Sequence, residues 1–539
     1  MPRLSHGANI SLNALEAAGA VIASHNPAMR AAFPPTFRSD LQGFDFLFPQ
    51  LQQDAANVLP ESPQTVQHLR QLGEAMGDPG STVEPQDSGI PAVYTYFGQF
   101  LDHDITLEGG LSDALADLSR PDLAPLPQAD IRAAIRNLRS AATDLDSVYG
   151  TGPSNDPNAL VPYDGDKLVI GKVTPLNVQQ KPRLRPPGKD DFNDLPRKAR
   201  SSLAAIDREA RIGDHRNDEN VIVAQLHLAF LRAHNALVDQ GNNFKKAQRL
   251  LRQHYQHIII HDFLKRVADP AIVDRIIDDG NQLYDPERRG FFMPLEFSFA
   301  AYRFGHTMAR DEYDYNLNFN ISGEPGTFPA SFALLFTFTA LSSQIGDFDT
   351  LPDNWIIEWE NLIDAAKPGG TARRIDTKLA PELFNLRNAL GEPLTDPQGR
   401  VTQIMRHLAV RNLLRGYLVR IPTGQAVAGA LGIPALTPQE IEQAAASQPQ
   451  VDALRAGGFL EQTPLWYYVL VEAAARTGGK RLGPVGSTLI AEVLVGLVRR
   501  SEDSILKGQR RWKPSLPGAQ RGTFTLPDLL RHAGVLPGT

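Results

Sequence analysis

Apolar residues recur at helical spacing in several stretches from residue 221 onward. In 221–240, 244–268 and 272–277 they fall three and four positions apart, and 401–418, 438–446, 465–476 and 486–500 repeat the pattern. Such spacing gives each helix one apolar face to bury. No comparable stretch alternates apolar and polar residues as a half-buried strand does, so strands should be few and short. The pattern therefore predicts a mainly α fold, a single large helical domain over 91–539, with no shift of composition that would mark a linker. Residues 1–90 are rich in Pro, Gly, Asn and Gln around apolar islands such as Phe44-Asp45-Phe46-Leu47-Phe48, and read as an N-terminal arm packed on that body. A basic amphipathic helix is expected over 131–142, and a polar, proline-broken surface excursion over 151–200.

Three places break the apolar pattern with chemistry. In Tyr96-Phe97-Gly98-Gln99-Phe100-Leu101-Asp102-His103-Asp104 an aromatic run ends in carboxylate, imidazole and carboxylate. Burying two acids beside a histidine is costly without compensation, and residues four apart share a face, so Gln99 and His103 look one way while Phe100 and Asp104 look another. Further on, Ser140, Asp144 and Asp146 place oxygen-bearing side chains at alternate positions. That spacing suits a hard cation such as calcium, and it equally suits an acidic turn or helix cap. The stretch Gly213-Asp214-His215-Arg216-Asn217-Asp218-Glu219 precedes a long helix, and Arg303 and His306 lie three apart in an aromatic segment, on one face of a helix. Two histidines in apolar helices, with arginines and acids at hand, match the needs of a buried porphyrin: an axial ligand, a base on the other face, and charges for the propionates.

Composition narrows the field. With 54 Lys and Arg against 61 Asp and Glu, the net charge of −7 gives no footprint for nucleic acid or an anionic membrane surface. There is no cysteine, which removes disulfides, thiolate ligands and cysteine nucleophiles together. The first 20 residues lack a basic region followed by an apolar core, and the apolar run 332–341 is too short to span a bilayer. A soluble protein without a cleaved signal is expected, cytoplasmic or exported by a signal-less route. The oligomeric state is left open.

Phe97-Gly98-Gln99 with Asp102-His103-Asp104, the Arg-x-x-Glu at 216–219 and the Arg-x-x-His at 303–306 together resemble the peroxidase–cyclooxygenase superfamily, the animal-type haem peroxidases. Arg411-Asn412-Leu413-Leu414-Arg415-Gly416, Thr423-Gly424-Gln425-Ala426, Pro464-Leu465-Trp466-Tyr467-Tyr468 and Arg481-Leu482-Gly483-Pro484 are similar to its bacterial members, so the resemblance runs from about residue 91 to the end. It implies haem b held by His306 as proximal ligand, with Asn412 accepting a hydrogen bond from that ring and Arg303 pairing with a propionate. On the opposite face it implies His103 as acid–base residue, Arg216 as a fixed cation, and Gln99 as the holder of water or halide. Asp102 and Glu219 stand at the positions that form ester bonds to haem, and Asn220 stands where some members carry a methionine that forms a further link. Calcium would be held by Asp104, Ser140, the Ala142 carbonyl, Asp144 and Asp146. The implied partners are hydrogen peroxide and small anionic or organic electron donors. Two alternatives carry forward: a haem-dependent fatty-acid dioxygenase, whose radical-forming tyrosine would stand where this chain has Arg303, and a non-catalytic haem-bearing binding protein.

Overall fold

The computed structural model describes residues 43–77, 87–109, 118–120, 122–140, 142–154, 156, 158–202, 206–286, 290–328, 330–337, 339, 348–386, 402–508, 512–519 and 522–537. Most of the predicted arm, and the end of the 332–341 run, therefore lie outside the described residues.

Nine helices of ten or more residues lie among the described residues: α1 (Pro63–Ala75), α2 (Val93–Ile105), α3 (Val221–Asp239), α4 (Phe244–Ile258), α5 (Pro270–Asp279), α6 (Leu408–Leu418), α7 (Gln448–Gly457), α8 (Leu465–Thr477) and α9 (Pro484–Arg500). The strands among the described residues form two-stranded pairs only; the longest, Asp87–Pro91, runs antiparallel to Thr371–Arg373. The mainly α expectation holds.

Helix α3 is the centre of the core. Asn220 caps it by accepting from the Val223 amide, and residues 221–231 are all buried, while Arg232 and Asp239 reach the surface towards its C-terminal end. It is long and apolar enough to cross a membrane, but 78% of its most apolar window is buried inside the protein. Helix α2 packs along it, with Phe100 stacked on Phe230 at 4.7 Å. Helix α1 packs against α6 and α7, and α5 against α9.

The structure departs from helical expectation in two places. The helix predicted over 131–142 spans only Gln128–Ala134. Asn137 accepts from the Leu107 amide and donates to the Ile105 carbonyl, which draws the chain into a short strand against Glu108–Gly109. The segment bearing Arg303 and His306 is a π turn, Glu296–Ala300, followed by a 3₁₀ helix, Ala301–Met308. Three residues make one 3₁₀ turn, so Arg303 and His306 still share a face. The described part of 1–90 is anchored here: the Leu47 and Phe48 amides donate to the buried Glu296 carboxylate at 2.8 and 3.0 Å, which burial pushes up to about 7.

Candidate active site

Helix α2 ends at Ile105 because Thr106 turns extended and satisfies its last turn, donating its hydroxyl both to the Asp102 carbonyl and to the Asp102 carboxylate at 2.8 Å. His103 and Asp104 face inward and are fully buried, while Gln99 and Asp102 are partly buried. Burial raises Asp102, against the pull of Arg216, Thr106 and Arg303. The His103 ring is fixed from one side, its Nδ1 lying 2.8 Å from Asn217 Oδ1.

Arg216 sits beneath the same helix end. Its Nε and one terminal nitrogen bind Asp214, and that nitrogen also reaches the carbonyls of His103 and Thr106 at 3.0 and 2.6 Å. Asp214 is shared with Arg139. Its burial alone would raise it, but Arg139 and then Arg216 outweigh that and hold it well below the usual carboxylate range. Gln99 donates to the Glu219 carboxylate at 2.7 Å and accepts from Asn220 at 3.1 Å.

The loop after Arg139 brings three of the predicted cation ligands together, with Ser140 beside them. Carboxylate oxygens of Asp104, Asp144 and Asp146 lie within 4.8 Å of one another. Ser140 Oγ donates to Asp144 at 3.0 Å, and the Leu145 and Ser147 amides and the Ser147 hydroxyl donate to Asp104. Burial, and then Asp146 and Asp144, push Asp104 well above its ordinary value; burial and Asp146 raise Asp144 to about 6. Like charges packed so closely out of water fit a divalent cation bound by oxygen ligands. Gly213 closes over this loop: a Cβ there would lie 2.5 Å from the Asp146 and Ser147 carbonyls.

On the other side, Tyr302 donates to the Gly98 carbonyl at 3.0 Å, which brings the 3₁₀ helix against α2. His306 Nδ1 lies 3.0 Å from Asn412 Nδ2, while Asn412 Oδ1 accepts from Arg303 at 3.1 Å. The amide is thus turned the opposite way from the sequence expectation, because a guanidinium has only donors and takes the oxygen. Arg303 also pairs with Glu108 at 3.1 Å, and Glu108 is shared with Arg415. Arg411 and Arg415 are buried, and burial lowers both to about 10, with Arg303 pressing Arg411 further. Two guanidiniums on one carboxylate, with a third nearby, make this corner a fit for the carboxylates of a haem.

Sequence reasoning did not assign Asn217, Asp214, Arg139, Glu108, Arg411 or Arg415. The signals were present: Asn217 and Asp214 flank Arg216, and both arginines at 411 and 415 stand in the quoted Arg-Asn-Leu-Leu-Arg run.

Residues 120–334 match the model of the family described as animal haem peroxidase. The chain carries a domain of that family. A peroxidase-like protein of Margaritifera margaritifera is 28% identical over 369 residues, which cover 60% of this chain and 43% of that protein, so this chain spans less than half the length of the relative it matches. Peroxidase A from Dictyostelium discoideum aligns over 93% of this chain and 95% of its own, with a TM-score of 0.57 at 16% identity. A fatty acid alpha-dioxygenase from Oryza sativa aligns over 85% and 74%, with a TM-score of 0.50 at 14% identity. Both likenesses establish the helical fold that the animal haem peroxidase domain shares with these enzymes, and no more than the fold.

Proposed function

We propose that this animal haem peroxidase domain reduces hydrogen peroxide and oxidises halides, thiocyanate or small organic donors. The observation that carries the reading is His103, buried on an apolar helix with Nδ1 held 2.8 Å from an amide oxygen, a contact that puts the ring proton on Nδ1 and the basic lone pair on Nε2. When bound, haem supplies the iron at which the O–O bond of peroxide breaks and from which oxidising equivalents pass to the donor.

His306 is the residue to hold the iron, oriented by Asn412. Arg303, Arg411 and Arg415 are the residues that would hold the propionates, and Asn412, now bonded to both Arg303 and His306, is the residue that would orient the His306 ring. His103 Nε2 takes a proton from peroxide and returns it to the departing oxygen, general acid–base work worth roughly a hundred- to ten-thousandfold. Arg216, fixed at the end of α2, lowers the cost of negative charge beside His103. Gln99 positions water or halide, and Asp102 and Glu219, both carboxylates removed from bulk water, are the residues to be esterified. Asp104, Ser140, Ala142, Asp144 and Asp146 hold calcium, which fixes the end of α2.

Dioxygenation is the competing reaction. It is disfavoured because Arg303 occupies the position three before His306, and the hydroxyl of the neighbouring Tyr302 is spent on the Gly98 carbonyl. Oxidation of guaiacol or iodide that requires added peroxide, with no oxygen uptake on linoleate, is the expected result. Oxygen uptake with linoleate in the absence of donor oxidation would instead establish the dioxygenase, and neither reaction the non-catalytic alternative.

A further inference from the structure

His103 is one end of a buried chain of three polar side chains that continues away from the site. Asn217 Oδ1 lies 2.8 Å from His103 Nδ1, and Asn217 Nδ2 lies 3.0 Å from Nδ1 of His227, on the inner face of α3. All three residues are fully buried. Burial lowers His227 to about 3, outweighing the nearby Asp214, so its ring is neutral and carries one proton. Its Nε2 has no hydrogen-bond partner among the described residues and lies in the apolar layer where the ring meets Phe100 edge-on, with centroids 6.1 Å apart.

An amide presents one acceptor and one donor end, so Asn217 reads the two rings in opposite senses. With its NH₂ on His227 Nδ1, that nitrogen is the lone pair and the His227 proton sits on Nε2. The Asn217 oxygen then demands a proton on His103 Nδ1, which leaves the lone pair of His103 on Nε2. Turning the amide over would exchange both tautomers at once and put a proton on the nitrogen that must act as base. A neutral acceptor also avoids burying another charge beside Asp102 and Asp104.

We infer that Asn217 is the positioning residue that sets the tautomer of His103, and that His227 holds the Asn217 amide in the orientation this requires. The inference rests on the peroxidase reading for its kinetic consequence but not for its structural one. Neutron diffraction from crystals of the purified protein should show deuterium on His103 Nδ1 and on Asn217 Nδ2 facing His227. Deuterium on His103 Nε2, with the Asn217 oxygen facing His227, overturns it whatever the protein's activity. In steady-state assays with hydrogen peroxide and guaiacol, Asn217→Leu should lower kcat/KM for peroxide about a hundredfold with the KM for guaiacol unchanged, and Asn217→Asp, which keeps an acceptor, should stay within about tenfold of the wild type. A leucine variant as fast as wild type, or an aspartate variant as slow as leucine, refutes the role. A wild-type protein inert toward peroxide removes the peroxidase reading and leaves the neutron map to decide the tautomer.

Discussion

Replacing Asp144 by asparagine should stabilise the protein in chelator and destabilise it in calcium. The reversal follows from the spacing of the cluster. Oxygens of Asp104, Asp144 and Asp146 lie within 4.8 Å of one another, and two unit charges at about that separation repel by about 3 kcal/mol at an effective dielectric near 20. Burial, and next Asp146, raise Asp144 from 3.8 to about 6, and two units correspond to about 3 kcal/mol of net cost to the ionised form, of which the repulsion is one part. Because the folded-state value lies above the unfolded one, the metal-free folded protein binds the extra proton between about pH 4 and pH 6. Stability is present below that window and lost as the pH rises through it. Calcium reverses the sign by pairing with the ionised carboxylates, which protons then compete for. About half of that stabilisation is already gone by about pH 5, so in EGTA the wild type should melt about 1 °C lower at about pH 7 than at about pH 5, given about 2 cal/mol/K of unfolding entropy per residue. Calcium at neutral pH should more than restore it. Asp144→Asn should exceed the wild type in EGTA at neutral pH and fall below it in saturating calcium. Melting followed by circular dichroism, with calcium binding measured by calorimetry, checks each limb. Equal melting at both pH values in chelator, or a variant weaker under both metal conditions, would show that these carboxylates are not a cation cage.

His306→Ala should lose the axial bond and with it all peroxide turnover, whereas His103→Ala should retain haem but react with peroxide at least about a hundredfold more slowly; stopped-flow absorbance separates them, and equal rates for wild type and His103→Ala would remove His103 as the base. Arg415→Leu should weaken haem retention without altering the peroxide rate of the fraction that stays loaded, as read by haem transfer to apomyoglobin; unchanged transfer would show that the corner does not hold the propionates. After peroxide treatment, acidified butanone should fail to extract haem from the wild type and should extract it freely from Asp102→Val combined with Glu219→Gln. Free extraction from the wild type would dismiss both esters.

The helices were legible because burying one face imposes a period, and α3, α8 and α9 carry it without interruption. The 3₁₀ and π turns around Arg303 were not, since an apolar spacing of three and four serves both kinds of turn as well as an α-helix. Nor was the strand at Arg136–Asn137, which exists because the Asn137 side chain bonds main-chain groups some thirty residues earlier in the sequence. The same limit applies to the site. Gln99, Asp102, His103, Asp104, Asp144 and Asp146 stand out in sequence because charge interrupts an apolar run or recurs at alternate positions. Asn217 and Arg415 stand beside residues that the motifs pick out, but what they do, like what Glu108 does, is set by partners distant in the chain: Asn217 by His103, and Glu108 by Arg303 and Arg415. No local pattern encodes such pairings.

Two separate links join the cation loop to the end of α2, and they differ in what can disturb them. One is direct: the Leu145 and Ser147 amides hold Asp104, the residue next to His103. Its acids titrate upward when no cation is present, so it weakens when the metal leaves. The other runs from Asp146 through Arg139 and Asp214 to Arg216, and from Arg216 to the carbonyls of His103 and Thr106. Arg139 and then Arg216 outweigh burial and hold Asp214 well below the usual carboxylate range, and Arg139, against the pull of burial, is raised by Asp214 and Asp146. Removing the cation therefore loosens the carboxylate side of the helix end and leaves the arginine side in place. If the loop binds calcium as proposed, chelator should slow the peroxide reaction of the wild type before abolishing it, and chelator-treated protein that is wholly inert, or as fast as before, would refute that order.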